Sequence, residues 1–141
     1  MVAAGVPRER DDHAHALVDL ALDMRAEVDR RVFGGRKLAF RIGINSGPVV
    51  AGVIGRKKFI YDLWGEAVNL ASRMESHGKS RCIQITRATY ELVKDEFDCE
   101  ALGSIDVKGT GPTEVWHVIG RKGAGLSSAD QPPVERTSAA L

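Results

Sequence analysis

The sequence predicts an α+β fold, in which helices are interspersed among mostly antiparallel strands. Three observations lead to this prediction. Apolar residues recur at helical spacing near the N-terminus and again after Gly65. Residues 38–44 alternate between apolar and small or polar, as a strand with one buried face does. Several further short β-rich runs follow, separated by turn residues.

The first predicted element is a helix that begins near His13, after the potential capping pair Asp11-Asp12. The pair Gly34-Gly35, which tolerates left-handed backbone angles, should end it. Residues 1–10 are typical of the end of a strand or a turn. The apolar face of the helix consists of Leu17, Leu20, Ala21, Met24 and Val28.

The alternating run 38–44 predicts a strand, and Asn45-Ser46-Gly47 has strong turn chemistry. We therefore expect residues 48–54 to return from this turn as a second strand. A basic tip at 56–58 and an extended piece at 59–63 follow. The remaining predicted elements are a helix from Gly65 to Ser76, a strand at 82–86, a short helix at 87–95, a strand at 97–102, a turn at 108–112 and a strand at 113–119.

Composition limits the class of protein. The chain has 141 residues, 43% apolar and 28% charged, which fits one globular domain. Its 20 Lys and Arg nearly cancel 19 Asp and Glu, and this balance argues against a broad surface for nucleic acid. No apolar run approaches the ~18 residues of a membrane span. Two cysteines, without metal or disulfide spacing, favour a reduced cytosolic setting.

The most informative stretch is the second predicted helix. Asn69 and Arg73 lie four residues apart and opposite its apolar stripe, so they are neighbours on one face. They form either a solvated polar surface or a groove in which an amide orients a sugar and a guanidinium neutralises phosphoryl charge. Asp62, just before the helix, is either a turn residue or an acceptor that favours the amino edge of adenine.

The sequence around these residues resembles class III nucleotidyl cyclase catalytic domains, and it is most similar to mycobacterial-type adenylate cyclases. The resemblance rests on residues 41–55, 61–65, 68–75 and 105–109, and it extends over nearly all of 2–122. It implies a ferredoxin-like sandwich that converts ATP to 3′,5′-cyclic AMP and pyrophosphate. In that scheme Asp62 selects adenine, Asn69 orients the ribose, Arg73 stabilises the transition state and Lys108 holds the triphosphate.

The same resemblance implies that part of the site lies upstream. Family members bind Mg²⁺ or Mn²⁺ through two aspartates and read the purine with a lysine, and residues 1–7 align with the strand that follows them. Asp11 and Asp12 match a helix start rather than metal ligands. We therefore expect residues 1–122 to form an N-terminally truncated cyclase domain that holds no metal and has negligible activity alone. Residues 123–141, rich in Gly, Ser, Pro and Ala, should be a disordered tail.

Truncation should expose apolar sheet surface and favour self-association, as a homodimer or a rearranged oligomer. We expect a cytoplasmic location, either free or as the cytosolic domain of a membrane-anchored parent, without membrane contact by this segment. One alternative is a non-catalytic regulatory or dimerisation module with the cyclase fold. A nucleic-acid-binding domain, suggested by the basic tip at 56–58, is a further alternative that the charge balance disfavours.

Overall fold

The computed structural model describes residues 1–57 and 60–123, and only the backbone of Ile60 and Tyr61. None of the helices in these residues is long and apolar enough to cross a membrane. The predicted tail at 123–141 lies, except for Gly123, outside the described residues. The elements in chain order are α1 (His13–Arg30), β1 (Ile42–Ile44), β2 (Val50–Ile54), β3 (Ile60–Trp64), α2 (Glu66–His77), β4 (Ile83–Thr86), α3 (Arg87–Val93), β5 (Phe97–Val107) and β6 (Gly111–Arg121).

Four strands form the main sheet in the order β1-β4-β6-β5. The pair β1–β4 is parallel, whereas β4–β6 and β5–β6 are antiparallel. The strands β2 and β3 form a separate antiparallel hairpin. This mixed sheet with its helices confirms the predicted α+β class.

The hairpin predicted around residues 45–47 is wrong. The strand β1 is limited to Ile42–Ile44 and pairs with β4, while the run after the turn pairs with β3. The side chains of Asn45 and Ser46 form hydrogen bonds with other elements instead of closing a two-strand turn. Pairing between distant segments therefore overrides the local turn signal.

Alternate residues of β4 separate two cores. Ile83 and Ile85, both fully buried, pack with apolar residues of α1 and α3 on one face of the sheet. Gln84 lies on the other face, where α2 packs. A smaller cluster there consists of buried Met74, Val107 and Val115, with partly buried Leu70 and Ile105 against it.

Other differences from the predicted elements are local. The final hairpin is longer than predicted, because β5 continues past a register shift near Gly103 to Val107. Residues 1–10 form no strand. Asp12 occupies the N-cap of α1 but forms no side-chain capping bond, since its carboxylate pairs with Arg10 at 2.6 Å.

Candidate functional site

An open groove of about 620 Å³ lies between α2 and the turn that joins β5 to β6. Three of the four predicted site residues, Asn69, Arg73 and Lys108, line this groove together. Its full lining is Glu66, Asn69, Leu70, Ser72, Arg73, Lys108, Gly109 and Thr110.

The smaller core holds the two walls of the groove together. Met74 is fully buried against Val107 and Val115, and Leu70 packs at the edge of the same cluster. Because residues three or four apart share a helix face, burial of Leu70 and Met74 leaves Asn69 and Arg73 on the exposed side. The amphipathic period of α2 thus presents both polar side chains to the groove.

The turn at 108–110 positions the ammonium group of Lys108 at the groove. It is closed by a hydrogen bond from the amide of Thr110 to the carbonyl of Val107, with an N–O distance of 2.9 Å. Gly109 has φ +89°, a left-handed conformation that favours glycine. Val107, the last residue of β5, is buried in the smaller core, so exposed Lys108 is anchored at the groove by its neighbour.

The charge balance of the groove favours an anion. Among the residues that the structure describes, neither Arg73 nor Lys108 forms a salt bridge, and only Glu66 adds a carboxylate to the lining. In contrast, Arg41 pairs with Glu75 of the same helix α2 at 3.0 Å. Two cations held without carboxylate partners, beside an amide, form a suitable surface for a polyphosphate.

The fourth predicted residue, Asp62, does not line the groove. It lies on β3 opposite Gly52, and its carboxylate accepts a hydrogen bond from the amide of Leu63 at 2.8 Å. The side chain is exposed. The structure therefore brings together the three residues predicted to contact sugar and phosphate, and it leaves Asp62, the residue predicted to select the purine, outside the groove lining.

Three polar residues of the lining, Glu66, Ser72 and Thr110, were not predicted from the sequence. Ser72 precedes Arg73 on α2, and the hydroxyl of Thr110 stands in the turn after Lys108. The position of Ser72 three residues after Asn69 is a signal that the helical period could have supplied. Nothing local in the sequence marks Thr110, because its place in the groove depends on packing between distant elements.

The resemblance implies divalent metals, which need several ligand side chains close together. In residues 1–57 and 60–123, no three His, Cys, Asp or Glu side chains are grouped closely enough to hold a metal ion. Asp12, one of the acidic residues near the N-terminus, is paired with Arg10. The described residues, taken by themselves, therefore do not supply a three-ligand metal centre.

Comparison with known proteins decides the family. The sequence model of the adenylate and guanylate cyclase catalytic domain matches residues 1–120. The chain belongs to this family. An adenylate cyclase of Mycobacterium tuberculosis is 48% identical to this cyclase domain over 123 residues, which are 86% of this chain and 28% of that enzyme.

Solved structures agree with this assignment. The guanylate cyclase domain of RhGC from Catenaria anguillulae, in complex with GTP, superposes with a TM-score of 0.81 at 39% identity. The match covers 84% of this chain and 65% of that one. The adenylyl cyclase CyaB from P. aeruginosa has a TM-score of 0.74 at 31% identity, covering 90% and 67%. The present cyclase domain thus spans about two thirds of these solved domains.

Proposed function

We propose that this cyclase domain acts on ATP and contributes the phosphate-contacting half of an adenylate cyclase site. The observation that carries the proposal is the groove itself, which Asn69, Arg73 and Lys108 line together. Among the described residues, neither of the two cations forms a salt bridge with a carboxylate. Membership of the cyclase family supplies the reaction class.

The proposed reaction is an intramolecular displacement at the α-phosphorus of ATP. The 3′ oxygen forms a bond to the α-phosphorus, the bond from that phosphorus to the bridging oxygen breaks, and pyrophosphate leaves with the bonding electrons. The proton of the 3′-hydroxyl passes to solvent. The products are 3′,5′-cyclic AMP and pyrophosphate, so the atoms of ATP are conserved apart from that proton.

Each groove residue has a role that suits its chemistry. The planar guanidinium of Arg73 can donate to two oxygens at once, which suits the charge that builds up on phosphoryl oxygens during the displacement. The ammonium of Lys108 offers a compact charge to the rest of the triphosphate. The amide of Asn69 can both donate and accept, so it can orient the ribose hydroxyls.

The preference for ATP over GTP rests on Asp62. An ionised carboxylate only accepts hydrogen bonds, so it can pair with the amino group of adenine but not with the carbonyl of guanine. The 48% identity to a mycobacterial enzyme named adenylate cyclase supports the same choice. Because Asp62 lies outside the groove lining, we propose that the base extends beyond the groove toward β3.

A polypeptide of only these 141 residues should bind the nucleotide but cyclise it very slowly. The resemblance assigns the metal-binding aspartates to a segment upstream of residue 1, and the described residues do not fit a metal centre. Mg²⁺ or Mn²⁺ would neutralise triphosphate charge and activate the attacking hydroxyl in a domain that contains those aspartates.

We also propose that the cyclase domain self-associates, as a homodimer or a rearranged oligomer, in the cytoplasm where ATP is found. The hairpin β2–β3 stands apart from the main sheet and exposes Val50, Val53 and Ile54 by 58–67%. Exposed apolar patches of this kind are typical of contact surfaces. Covering the hairpin with a second copy would remove this apolar surface from water.

The test is a titration of ¹⁵N-labelled protein with ATP and with GTP, followed by amide chemical shifts. ATP should shift the amides of α2 and of residues 108–110, and Arg73→Ala or Lys108→Ala should weaken binding about tenfold or more, because each loses a charged hydrogen-bond partner. Arg36→Ala, which removes an exposed arginine outside the groove, is the matched control.

Three outcomes would contradict parts of this proposal. Absence of shifts in the groove at millimolar ATP would refute nucleotide binding there. Equal affinities for ATP and GTP, unchanged by Asp62→Ala, would refute the role of Asp62. Robust formation of cyclic AMP by the 141-residue polypeptide with excess Mn²⁺ would refute its predicted inactivity.

A further inference from the structure

A polar cluster at the end of β1 holds the first turn of α2. The side-chain amide of Asn45 donates to the carbonyl oxygen of Ala67, with an N–O distance of 3.1 Å. The other end of the same side chain accepts a hydrogen bond from the hydroxyl of Thr86, at 2.6 Å. Asn45 therefore joins the helix to β4 through a single, partly buried side chain.

A second amide holds the other half of the helix. Gln84, which is 3% exposed on β4, donates through Nε2 to the carbonyl oxygen of Met74 at 3.3 Å. Ala67 and Met74 lie near opposite ends of α2, at the second and ninth of its 12 residues. Two fixed points on one rigid helix determine both its position along the sheet and its rotation about its own axis.

The N-terminus of α2 has no side-chain cap that could fix it instead. Its N-cap residue is Gly65, which has no side chain to bond to the free amides of the first turn. Asn45 thus attaches this end of the helix to the sheet through a side-chain hydrogen bond. The residues that follow Ala67 include Asn69 and Arg73, the helix-borne polar groups of the groove.

We propose that Asn45 is a positioning residue for the groove, with Gln84 as its counterpart at the far end of α2. Through backbone carbonyls, the two amides set the distance from Asn69 and Arg73 to Lys108. The importance of this positioning for nucleotide binding rests on the proposed function, whereas the attachment of the helix can be tested without it. Neither amide contacts the groove itself, so each acts only through the helix.

The variant Asn45→Asp removes one of the two hydrogen bonds of this side chain and keeps the other. At pH 7.5 an ionised aspartate retains the acceptor for Thr86 but replaces the donor to Ala67 with a second acceptor. The matched control is Ser46→Ala, which removes a hydrogen bond of 3.0 Å from the same turn to Thr89 of α3, not to α2. A near-isosteric second variant, Gln84→Met, removes the other donor.

Two measurements are made on each folded variant. Hydrogen exchange should be at least about fivefold faster at the α2 amides in Asn45→Asp and in Gln84→Met, because each variant has lost one hydrogen bond between the sheet and the helix. In Ser46→Ala the exchange rates of these amides should be unchanged. The dissociation constant for ATP should rise about tenfold in the first two variants only. If Asn45→Asp does not fold, Gln84→Met and Ser46→Ala still give the comparison.

The two levels of the proposal fail separately. Equal α2 exchange in Asn45→Asp, Gln84→Met and Ser46→Ala would overturn the positioning role, whatever the affinity for ATP. If the unmodified chain binds no ATP, the proposed function fails, while the exchange comparison still decides whether Asn45 and Gln84 fix the helix. Faster hydrogen exchange at the α2 amides with an unchanged dissociation constant for ATP would also overturn the positioning role, since the helix position would then not matter to the groove.

Discussion

Replacing Gly43 by alanine should push α2 away from the sheet. A Cβ built on Gly43 would lie 2.1 Å from the backbone nitrogen of Glu75 and 2.6 Å from both the carbonyl oxygen of Ala71 and the carbonyl carbon of Met74. These are backbone atoms of α2, so no side-chain rotation can relieve the contact. The helix must retreat by more than about 1 Å to restore ordinary van der Waals separation.

Such a retreat is costly because it opens the smaller core. Met74 is fully buried against Val107 and Val115, and the hydrogen bond from Gln84 to Met74 is already 3.3 Å long. Overpacking in a filled core costs about 1–3 kcal/mol, and a contact made only with backbone belongs at the upper end. We expect Gly43→Ala to lower the free energy of unfolding by about 3 kcal/mol.

The assay is urea denaturation followed by circular dichroism, with Gly120→Ala as the matched control. Gly120 also lies in a strand, has no left-handed φ, and has open space where the Cβ would be placed. That control should change the free energy of unfolding by less than about 0.5 kcal/mol. If Gly43→Ala matches the control, the close approach of α2 to β1 is not a feature of the folded protein and the reasoning fails.

Three further predictions concern other parts of the molecule. Burial lowers the pKa of His117 below its ordinary value of 6.5. The charge of Lys79 lowers this pKa further, and the charge of Glu100 opposes the change. The neutral ring is therefore favoured in the fold, and its contribution to stability, complete above pH 6.5, should be lost as pH falls through the lowered pKa. The variant His117→Leu should lose less stability between pH 7.5 and 5 than the unmodified chain, measured by urea midpoints; identical slopes would contradict this. Met74→Ala should lower the free energy of unfolding by about 2–5 kcal/mol and weaken ATP binding, whereas Ser72→Ala, at an exposed position of the same helix, should leave stability nearly unchanged. Val53→Asp, on the exposed hairpin, should shift the mass measured by light scattering at micromolar concentration toward the monomer; a monomeric unmodified chain would rule out the proposed self-association.

Local periodicity was sufficient to predict the helix of the site. Leu70 and Met74 are on the packed side of α2 and Asn69 and Arg73 on the exposed side, as the spacing predicts. A helix face is determined by residues within a few positions of each other, so a single sequence contains the information. The meeting of Arg73 with Lys108 is different, since the resemblance alone suggested it.

Pairing between distant segments could not be predicted in the same way. The turn chemistry of Asn45 predicts a hairpin, yet this side chain bonds to Ala67 and Thr86, and β1 lies parallel to β4. Strand partners depend on which apolar faces can be buried together, which no short window of sequence reveals. The position of Asp62 outside the groove lining is a further non-local outcome.

The two cations of the groove are carried by elements that are far apart in the chain and are brought together by packing around Met74, Val107 and Val115. An excised α2 peptide would carry Arg73 without Lys108, and an excised hairpin would carry the reverse. A triphosphate that binds both must therefore favour the folded chain by mass action, which raises the temperature of unfolding as its concentration rises. The ligand would act as a reversible cross-link between the helix and the sheet.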